Sequence, residues 1–287
     1  MVATLKEVKP SKIFISADGP RPERPEESER CAKVRSIVHN QIDWDAEVIT
    51  DFAPTNLGLR QRMSSAITWT LSQVDRIIIV EDDCVPDPSF FYFCSELLEK
   101  FSRDTCIGSI TGDNFQDPAF SCDGDYYYSR YPHIWGWATW RRAWDCYDVG
   151  MKDWPEVKKT DWLQTLFPDK FEAEYWRSIF DDTFSGKINT WDYQWAYASW
   201  RHNMLTITPR TNLVKNIGIG TSATNTCSPE GNKHHLRTHK ITLPLKHPDH
   251  ISIREDADDY VQRTVFGRAK DRTLIGRLKR LASKVKN

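Results

Sequence analysis

Several features that would assign this chain to a common class at once are missing from its sequence. It contains no C-x-x-C pair and no N-x-[ST] sequon, and its seven Cys, an odd number, are scattered between positions 31 and 227. These absences argue against a zinc ribbon and against the disulfide framework of a small secreted domain. We therefore expect a reducing, cytoplasmic environment.

Long apolar runs and an excess of one charge are also absent. No run approaches the roughly 18 apolar residues of a transmembrane helix, and residues 1–10 lack the apolar core of a signal peptide. The formal net charge of -1 argues against nucleic acid as the main partner. Tryptophan, in contrast, is abundant: the chain has twelve, and this residue serves both cores and flat binding surfaces.

The first half of the chain alternates between strand-like and helix-like segments. β-rich runs cover residues 12–20, 46–52, 76–81 and 106–113, with helical spacing of apolar residues between them. This alternation is typical of a parallel α/β sheet flanked by helices. We predict a single domain over residues 1–266 built on a mostly parallel sheet. The helix after the third strand should begin at Pro88, with Asp87 as its N-cap.

Acidic residues stand at the ends of two predicted strands. Asp18 closes the first strand, and Glu81, Asp82 and Asp83 follow the apolar run 77–80. Ligands of parallel sheets bind at the carboxyl ends of the strands. Three adjacent carboxylates repel one another unless a cation compensates, which favours a divalent metal held with a nucleotide diphosphate. A solvated junction between strand and loop is the alternative.

The segment IIIVEDDCVPDPSFFYFCSELLEKF resembles the metal-site segment of GT-A glycosyltransferases. It is especially similar to the inverting N-acetylglucosaminyltransferase I group and to related bacterial sugar transferases. The resemblance implies a GT-A (Rossmann-like) fold in which Asp83 binds a Mn²⁺ or Mg²⁺ that bridges the donor diphosphate. Asp82 would lie near the ribose, Glu81 would orient the cluster, and Asp18 would lie by the nucleotide base or ribose. UDP is favoured because the closest resemblance uses it.

Two further segments resemble the same family, in the same order along the chain. INTWDYQWAYASWRHNMLTITPRTNLVKNIGIG is similar to its Trp-Asp segment, which implies that Asp192, next to Trp191, is the catalytic base. HIWGWATWRRAW is similar to the Gly-Trp segment that lines the donor and acceptor pocket. The resemblance therefore implies donor-binding roles for Trp135, Gly136, Trp137 and Trp191.

The chemistry of sugar transfer is consistent with these residue types. A metal ion on Asp83 would stabilise the diphosphate leaving group as a Lewis acid. Arg60 and Arg62 are candidate cations for the phosphates, and a solvated helix face is the alternative for both. The acceptor hydroxyl needs a general base, and direct displacement by a single base would invert the anomeric configuration.

The environment predicted for Asp192 suits a general base. Trp191, Tyr193 and Trp195 flank it and would desolvate its carboxylate, which raises the pKa of an acid. A helix N-cap is the alternative, because Asp commonly precedes a run such as YQWAYASW. One residue can fill both roles.

The tryptophans of HIWGWATWRRAW fit a helical stripe. Trp137, Trp140 and Trp144 fall at i, i+3 and i+7, so we predict one helical face. Trp135 and Trp137 are assigned to the pocket wall and the later two to the core. Gly136 would allow close approach of backbone to a ligand. The preceding His133 is either a polar contact or structural.

A Gly-rich polar segment at 216–240 suits a loop that orders over the bound donor. It carries His234, His235 and His239, any of which would complete the metal site or lie exposed. Related sequences have His after the Thr of this segment. Here Asn225 follows Thr224, so the additional metal ligand stays open.

The last segment, residues 267–287, is a basic tail with eight Lys or Arg and one acid. Its apolar stripe, formed by Leu274, Leu278, Leu281 and Val285, predicts a basic amphipathic helix. Such a helix would allow peripheral contact with the inner face of a membrane, close to a lipid-linked acceptor. An interaction tail or a disordered segment is the alternative.

Taken together, these features predict a metal-dependent, inverting glycosyltransferase. It would move a hexosyl or N-acetylhexosaminyl group from a nucleotide sugar to a glycan or glycolipid, as in bacterial surface polysaccharide synthesis. A nucleotide-sugar nucleotidyltransferase would need a Gly-rich signature near the first strand, where SADGPRPERPEE has one Gly and three Pro. A lectin-like module would explain the tryptophans but not the acidic cluster.

Overall fold

The computed structural model describes residues 1–116, 118–218 and 237–266. The described strands are β1 (Lys12–Ala17), β2 (Glu47–Phe52), β3 (Arg76–Ile79), β4 (Cys84–Pro86), β5 (Ile107–Thr111), β6 (Tyr126–Ser129), β7 (Trp137–Trp140), β8 (Leu205–Pro209) and β9 (Val214–Asn216). The described helices are α1 (Val2–Val8), α2 (Glu26–Asn40), α3 (Leu59–Leu71), α4 (Pro88–Lys100), α5 (Arg141–Trp144), α6 (Trp154–Val157), α7 (Trp162–Leu166), α8 (Lys170–Phe184), α9 (Asp192–Arg201), α10 (Glu255–Val261) and a π-helical turn, Gln262–Phe266.

A five-stranded sheet in the order β3-β7-β5-β8-β6 forms the centre of this α/β fold, and helices flank it. Only β5 and β8 pair in parallel, whereas the other three neighbouring pairs are antiparallel. β1 and β2 form a separate parallel pair, and β4 and β9 an antiparallel one. The expectation of a mostly parallel sheet is therefore wrong, because the central sheet is mixed.

The central sheet is mixed because β7 lies between β3 and β5, at a place where the sequence predicted a helix. Within β7, Ala138 and Trp140 pack against α4, whereas Trp137 points to the opposite face. This is the two-residue alternation of a strand. Trp144 ends the short helix α5 instead. The prediction of one helical face for Trp137, Trp140 and Trp144 is wrong, since the spacing spans a strand and a helix.

Several local predictions are confirmed by the structure. The strands β1, β2, β3 and β5 lie within the four predicted runs. Helix α4 begins at Pro88, and the carboxylate of Asp87 accepts the backbone N–H of Ser89 at 2.9 Å. An acidic N-cap accepts one of the unpaired backbone N–H groups at the helix start, and a proline at the first position has no N–H to pair. Neither requires a contact from a distant part of the chain.

Hydrophobic packing on both faces of the sheet uses most of the tryptophans. Helix α4 covers one face with side chains such as Phe93 and Leu97, and α3 and α9 cover the other with Ile67 and Trp195. A third cluster joins α8 to α9 around Trp176. Eight of the twelve tryptophans are buried, so their main role is in the core.

No helix in the described ranges is both long and apolar enough to cross a membrane. The predicted basic tail, residues 267–287, lies outside the described residues. The proposed domain boundary after residue 266 therefore stays a prediction.

Candidate functional site

The acidic cluster lies where β3 ends and the chain turns into β4. The carbonyl of Glu81 accepts the N–H of Cys84 at 3.1 Å, and the carbonyl of Asp83 accepts the N–H of Ile217 at 2.8 Å. Pairing of β4 with β9 thus anchors the cluster to a distant part of the chain. The side chain of Asp82 is exposed, whereas those of Glu81 and Asp83 are partly buried.

The carboxyl group of Glu81 is strongly perturbed by its surroundings. Its pKa is raised to about 7 by burial first and then by the negative charges of Asp83, Asp192 and Asp82, in that order. No hydrogen-bond partner for its Oε1 is found among the described residues. The fold therefore brings the charge of Asp192 within range of a cluster that is far away in sequence.

Asp192 is the first residue of α9, and the N-cap position is Trp191. Its carboxylate accepts the hydroxyl of Thr190, and burial raises its pKa above the ordinary value of 3.8. The hydroxyl of Tyr147 donates to the carbonyl of Trp191 at 3.2 Å and so fixes the start of the helix. The N-cap interpretation misses by one position, and Asp192 is a partly buried acid in the first helical turn.

Asp113 is a further acid of this site that the sequence analysis did not single out. It follows β5, is only 1% exposed, and accepts the hydroxyl of Thr111. Burial raises its pKa to about 7. Its negative charge also raises the pKa of the Cys84 thiol, so it lies close to the acidic cluster. The sequence contained a signal for this residue, because the predicted strand 106–113 ends in Asp113 just as the first predicted strand is closed by Asp18.

A pocket of about 130 Å³ opens in front of Asp192. Asp113 and Asp192 contribute carboxylates to its lining, and Phe115, His133 and Trp135 contribute rings. Phe115 meets His133 and Trp135 edge to face, with ring centroids 4.8 and 5.1 Å apart. Burial lowers the pKa of His133 to about 3, so its imidazole is neutral. The pocket combines aromatic rings with acceptors of hydrogen bonds.

Trp135 lies at the wall of this pocket, but Trp137 and Trp191 do not. The latter two are at most 1% exposed and stack on each other, with centroids 5.6 Å apart. Gly136 has φ of 71°, and an added Cβ would lie 2.8 Å from Cγ2 of Val214. Packing and backbone conformation therefore account for this glycine. Donor contact by these residues stays a prediction.

Asp18, Arg60 and Arg62 all form hydrogen bonds or ion pairs with other residues of the protein. The carboxylate of Asp18 accepts the N–H groups of Leu57 at 2.8 Å and Gly58 at 3.0 Å, which ties β1 to the loop before α3. Arg62 is buried in an ion pair with Asp51 at 2.7 Å, so the alternative of a solvated helix face is wrong for it. Arg60 donates to the carbonyl of Val149. Contact of either arginine with phosphate stays a prediction.

Of the three loop histidines, only His239 lies within the described residues. It is exposed, and its backbone N–H donates to the carbonyl of Asn212 at 2.8 Å. His234, His235 and Asn225 lie outside the described ranges, so the question of a second metal ligand from this segment stays open.

Within the described ranges, no group of three or more His, Cys, Asp or Glu side chains is arranged to hold a metal ion by itself. Mg²⁺ is commonly bound by one or two carboxylates together with substrate phosphates. A Cβ added to Gly218 would lie 2.2 Å from Oδ2 of Asp83, so this glycine leaves room beside the carboxylate. Asp83 therefore fits a metal ion that is shared with a diphosphate.

Comparison with known proteins finds a distant relative of part of this chain. No protein-family model matches the chain. The chain is 28% identical, over 164 residues, to an alpha-1,3-mannosyl-glycoprotein 2-beta-N-acetylglucosaminyltransferase of Arabidopsis thaliana. The similar region covers 53% of this chain and 34% of the relative, so the chain matches about a third of the relative's length. This similarity supports a glycosyltransferase and leaves donor, acceptor and metal open.

Proposed function

We propose that this protein is a metal-dependent, inverting glycosyltransferase of the GT-A type. It transfers a sugar from a nucleotide diphosphate donor, with UDP favoured, to a glycan or glycolipid acceptor. The observation that carries this proposal is that the negative charge of Asp192 acts on Glu81 in the acidic cluster, since the reaction needs a base and a diphosphate site side by side. The distant similarity to an N-acetylglucosaminyltransferase supports the same reaction class.

In this proposal Asp192 accepts the proton of the attacking acceptor hydroxyl. Burial raises its pKa, which makes the carboxylate a stronger base than an exposed aspartate. The hydroxyl of Thr190 holds the carboxylate in place. Attack from the face opposite the leaving diphosphate inverts the anomeric configuration.

Asp83 would hold Mn²⁺ or Mg²⁺ together with the donor diphosphate, and the ion would supply Lewis-acid stabilisation of the leaving group. Asp82, which is exposed, faces the ribose, and the partly buried Glu81 orients the cluster. Because no group of three or more side chains in the described ranges is arranged to hold the ion by itself, we expect the metal to bind tightly only with the nucleotide.

The lectin-like alternative loses its main support in the structure. It was based on the tryptophan count, and eight of the twelve tryptophans lie in the core. Peripheral membrane contact through residues 267–287 and a cytoplasmic location remain part of the proposal. Both rest on the sequence alone.

Calorimetric titration with UDP, GDP and dTDP, each with and without Mn²⁺, tests the donor site. Wild type should bind one nucleotide in a Mn²⁺-dependent manner, and Asp83→Ala should lose that dependence. Asp75→Ala is the matched control, because Asp75 precedes the same strand at its opposite end and its side chain is 87% exposed. If no nucleotide binds wild type under any condition, the transferase proposal fails.

A further inference from the structure

The pocket in front of Asp192 contains a second carboxylate, more deeply buried, for which the proposed reaction has no role. Asp113 lines the same pocket as Asp192 but comes from a different element, the end of β5 rather than the start of α9. β5 lies in the middle of the central sheet, between β7 and β8. The position of Asp113 is therefore set by the most constrained part of the fold.

Hydrogen bonds on both sides of Asp113 hold its backbone in place. The N–H of Gly112 donates to the carbonyl of Gly136 at 2.7 Å, and the N–H of Asn114 donates to Oδ1 of Asn212 at 3.1 Å. The side chain is fixed as well, since its Oδ1 accepts the hydroxyl of Thr111. A carboxylate held in this way is preorganised for a ligand.

No Lys or Arg within the described ranges forms an ion pair with Asp113, although the side chain is only 1% exposed. Burial of a carboxylate without a cation costs stability. The carboxylate accepts hydrogen bonds from the hydroxyl of Thr111 and from the backbone N–H groups of Asp113 and Trp135. A carboxylate offers about four lone-pair positions, so Asp113 can accept at least one more. Ligand hydroxyl groups would satisfy this capacity.

Apart from Asp192, the rest of the lining is uncharged and consists of aromatic and aliphatic side chains. Phe115 and Trp135 meet edge to face, and the His133 ring lies nearly parallel to that of Phe266, with an interplanar angle of 9°. Rings of this kind pack against the C–H groups of a pyranose, while carboxylates accept its hydroxyl protons. A small pocket that combines both is suited to one sugar ring.

We propose that Asp113 is a specificity-determining residue that accepts hydrogen bonds from the hydroxyl groups of a pyranose bound in this pocket. The ring belongs either to the acceptor or to the donor, since both present the same chemistry. The inference deepens the proposed function, because Asp192 would act beside the same ring. A site built around a substrate hydroxyl rejects an analogue that lacks it, since its own polar groups are then left unpaired.

The experiment compares wild type, Asp113→Asn and the control Asp75→Asn by calorimetry. The probes are methyl glycosides of glucose, galactose, mannose and N-acetylglucosamine, the corresponding UDP-sugars with Mn²⁺, and UDP with Mn²⁺. Asparagine keeps the shape and removes a buried charge, so the variant should fold. Loss of a hydrogen bond to a charged group corresponds to a loss in pyranose affinity of about tenfold or more. UDP affinity should stay unchanged in both variants.

The two sources of the ring give different results. If Asp113→Asn weakens a methyl glycoside, the ring is that of the acceptor. If it weakens only the UDP-sugars and not UDP, the ring is that of the donor. Either result supports the inference, and monodeoxy forms of the bound sugar then identify the recognised hydroxyl by the same loss in wild type.

Two results would overturn the inference. One is a pyranose that binds wild type and Asp113→Asn equally. The other is the absence of pyranose binding to wild type, whatever UDP does. A wild type that binds pyranose through Asp113 but binds no nucleotide would instead refute the proposed transferase and leave the sugar site standing.

Discussion

Replacing Glu81 with Gln should stabilise the ligand-free protein at alkaline pH. The fold raises the pKa of this carboxyl from 4.5 to about 7, first through burial and then through three neighbouring acids. At ~1.4 kcal/mol per pH unit, ionised Glu81 costs the folded state about 3 kcal/mol. Glutamine has nearly the same shape and carries no charge, so it removes this cost.

The sign of the pH dependence follows from the two pKa values. The unfolded chain releases this proton near pH 4.5, whereas the folded protein keeps it up to about pH 7. Between these values the folded state binds more protons, so stability falls as pH rises. Below about pH 4.5 both states are protonated and this contribution is the same for Glu and Gln. The advantage of Gln should therefore grow through the window and be complete above about pH 7.

Urea unfolding with EDTA, at a series of pH values from about 5 to 8.5, measures this difference. Glu174→Gln is a matched control, because Glu174 is an exposed residue of α8 and its replacement should leave stability nearly unchanged. If Glu81→Gln is no more stable than wild type at pH 8, or if its advantage does not grow with pH, the assigned environment of Glu81 is wrong.

Three further changes probe the site and the fold. Asp192→Asn should lower turnover about 10²- to 10⁴-fold with nucleotide binding intact. Because burial raises the pKa of Asp192, the wild-type rate should begin to fall on acidification at a pH above the ordinary range of an aspartate. A pH profile of kcat/KM measures this. Gly218→Ala would place a Cβ 2.2 Å from Oδ2 of Asp83, so the carboxylate must shift. Mn²⁺-dependent nucleotide affinity should then fall by about 10- to 100-fold in calorimetry. Unchanged affinity would contradict the assignment of Asp83 as the metal ligand. Asp87→Ala removes the N-cap of α4 and should cost about 1 kcal/mol of unfolding free energy in urea, with no effect on nucleotide binding.

Local features of this fold could be predicted from the sequence because each depends on neighbouring residues. The first four strands of the α/β alternation follow from short β-rich runs bounded by turn residues. The start of α4 follows from Asp87 and Pro88, which need no tertiary contact. The strand-end position of Glu81, Asp82 and Asp83 follows from the apolar run before them.

Features that depend on long-range pairing could not be predicted in this way. Three tryptophans at i, i+3 and i+7 fit a helix as well as a strand that runs into a helix, and only pairing of β7 with β3 and β5 decides between them. The burial of Arg62 depends on Asp51, an acid on β2 whose position relative to α3 is set by tertiary packing. The direction of the sheet strands likewise depends on contacts between distant segments.

The sequence by itself determined which residue types are available: strand-end acids, a Trp-flanked Asp192, and enough tryptophan for a large core. The tertiary structure decided which of them meet. Packing of α9 against the sheet brings Asp192 to Glu81, and the central position of β5 brings Asp113 into the same pocket. The physical reason is that charge interactions and burial depend on distance in space, which the order of residues along the chain does not give.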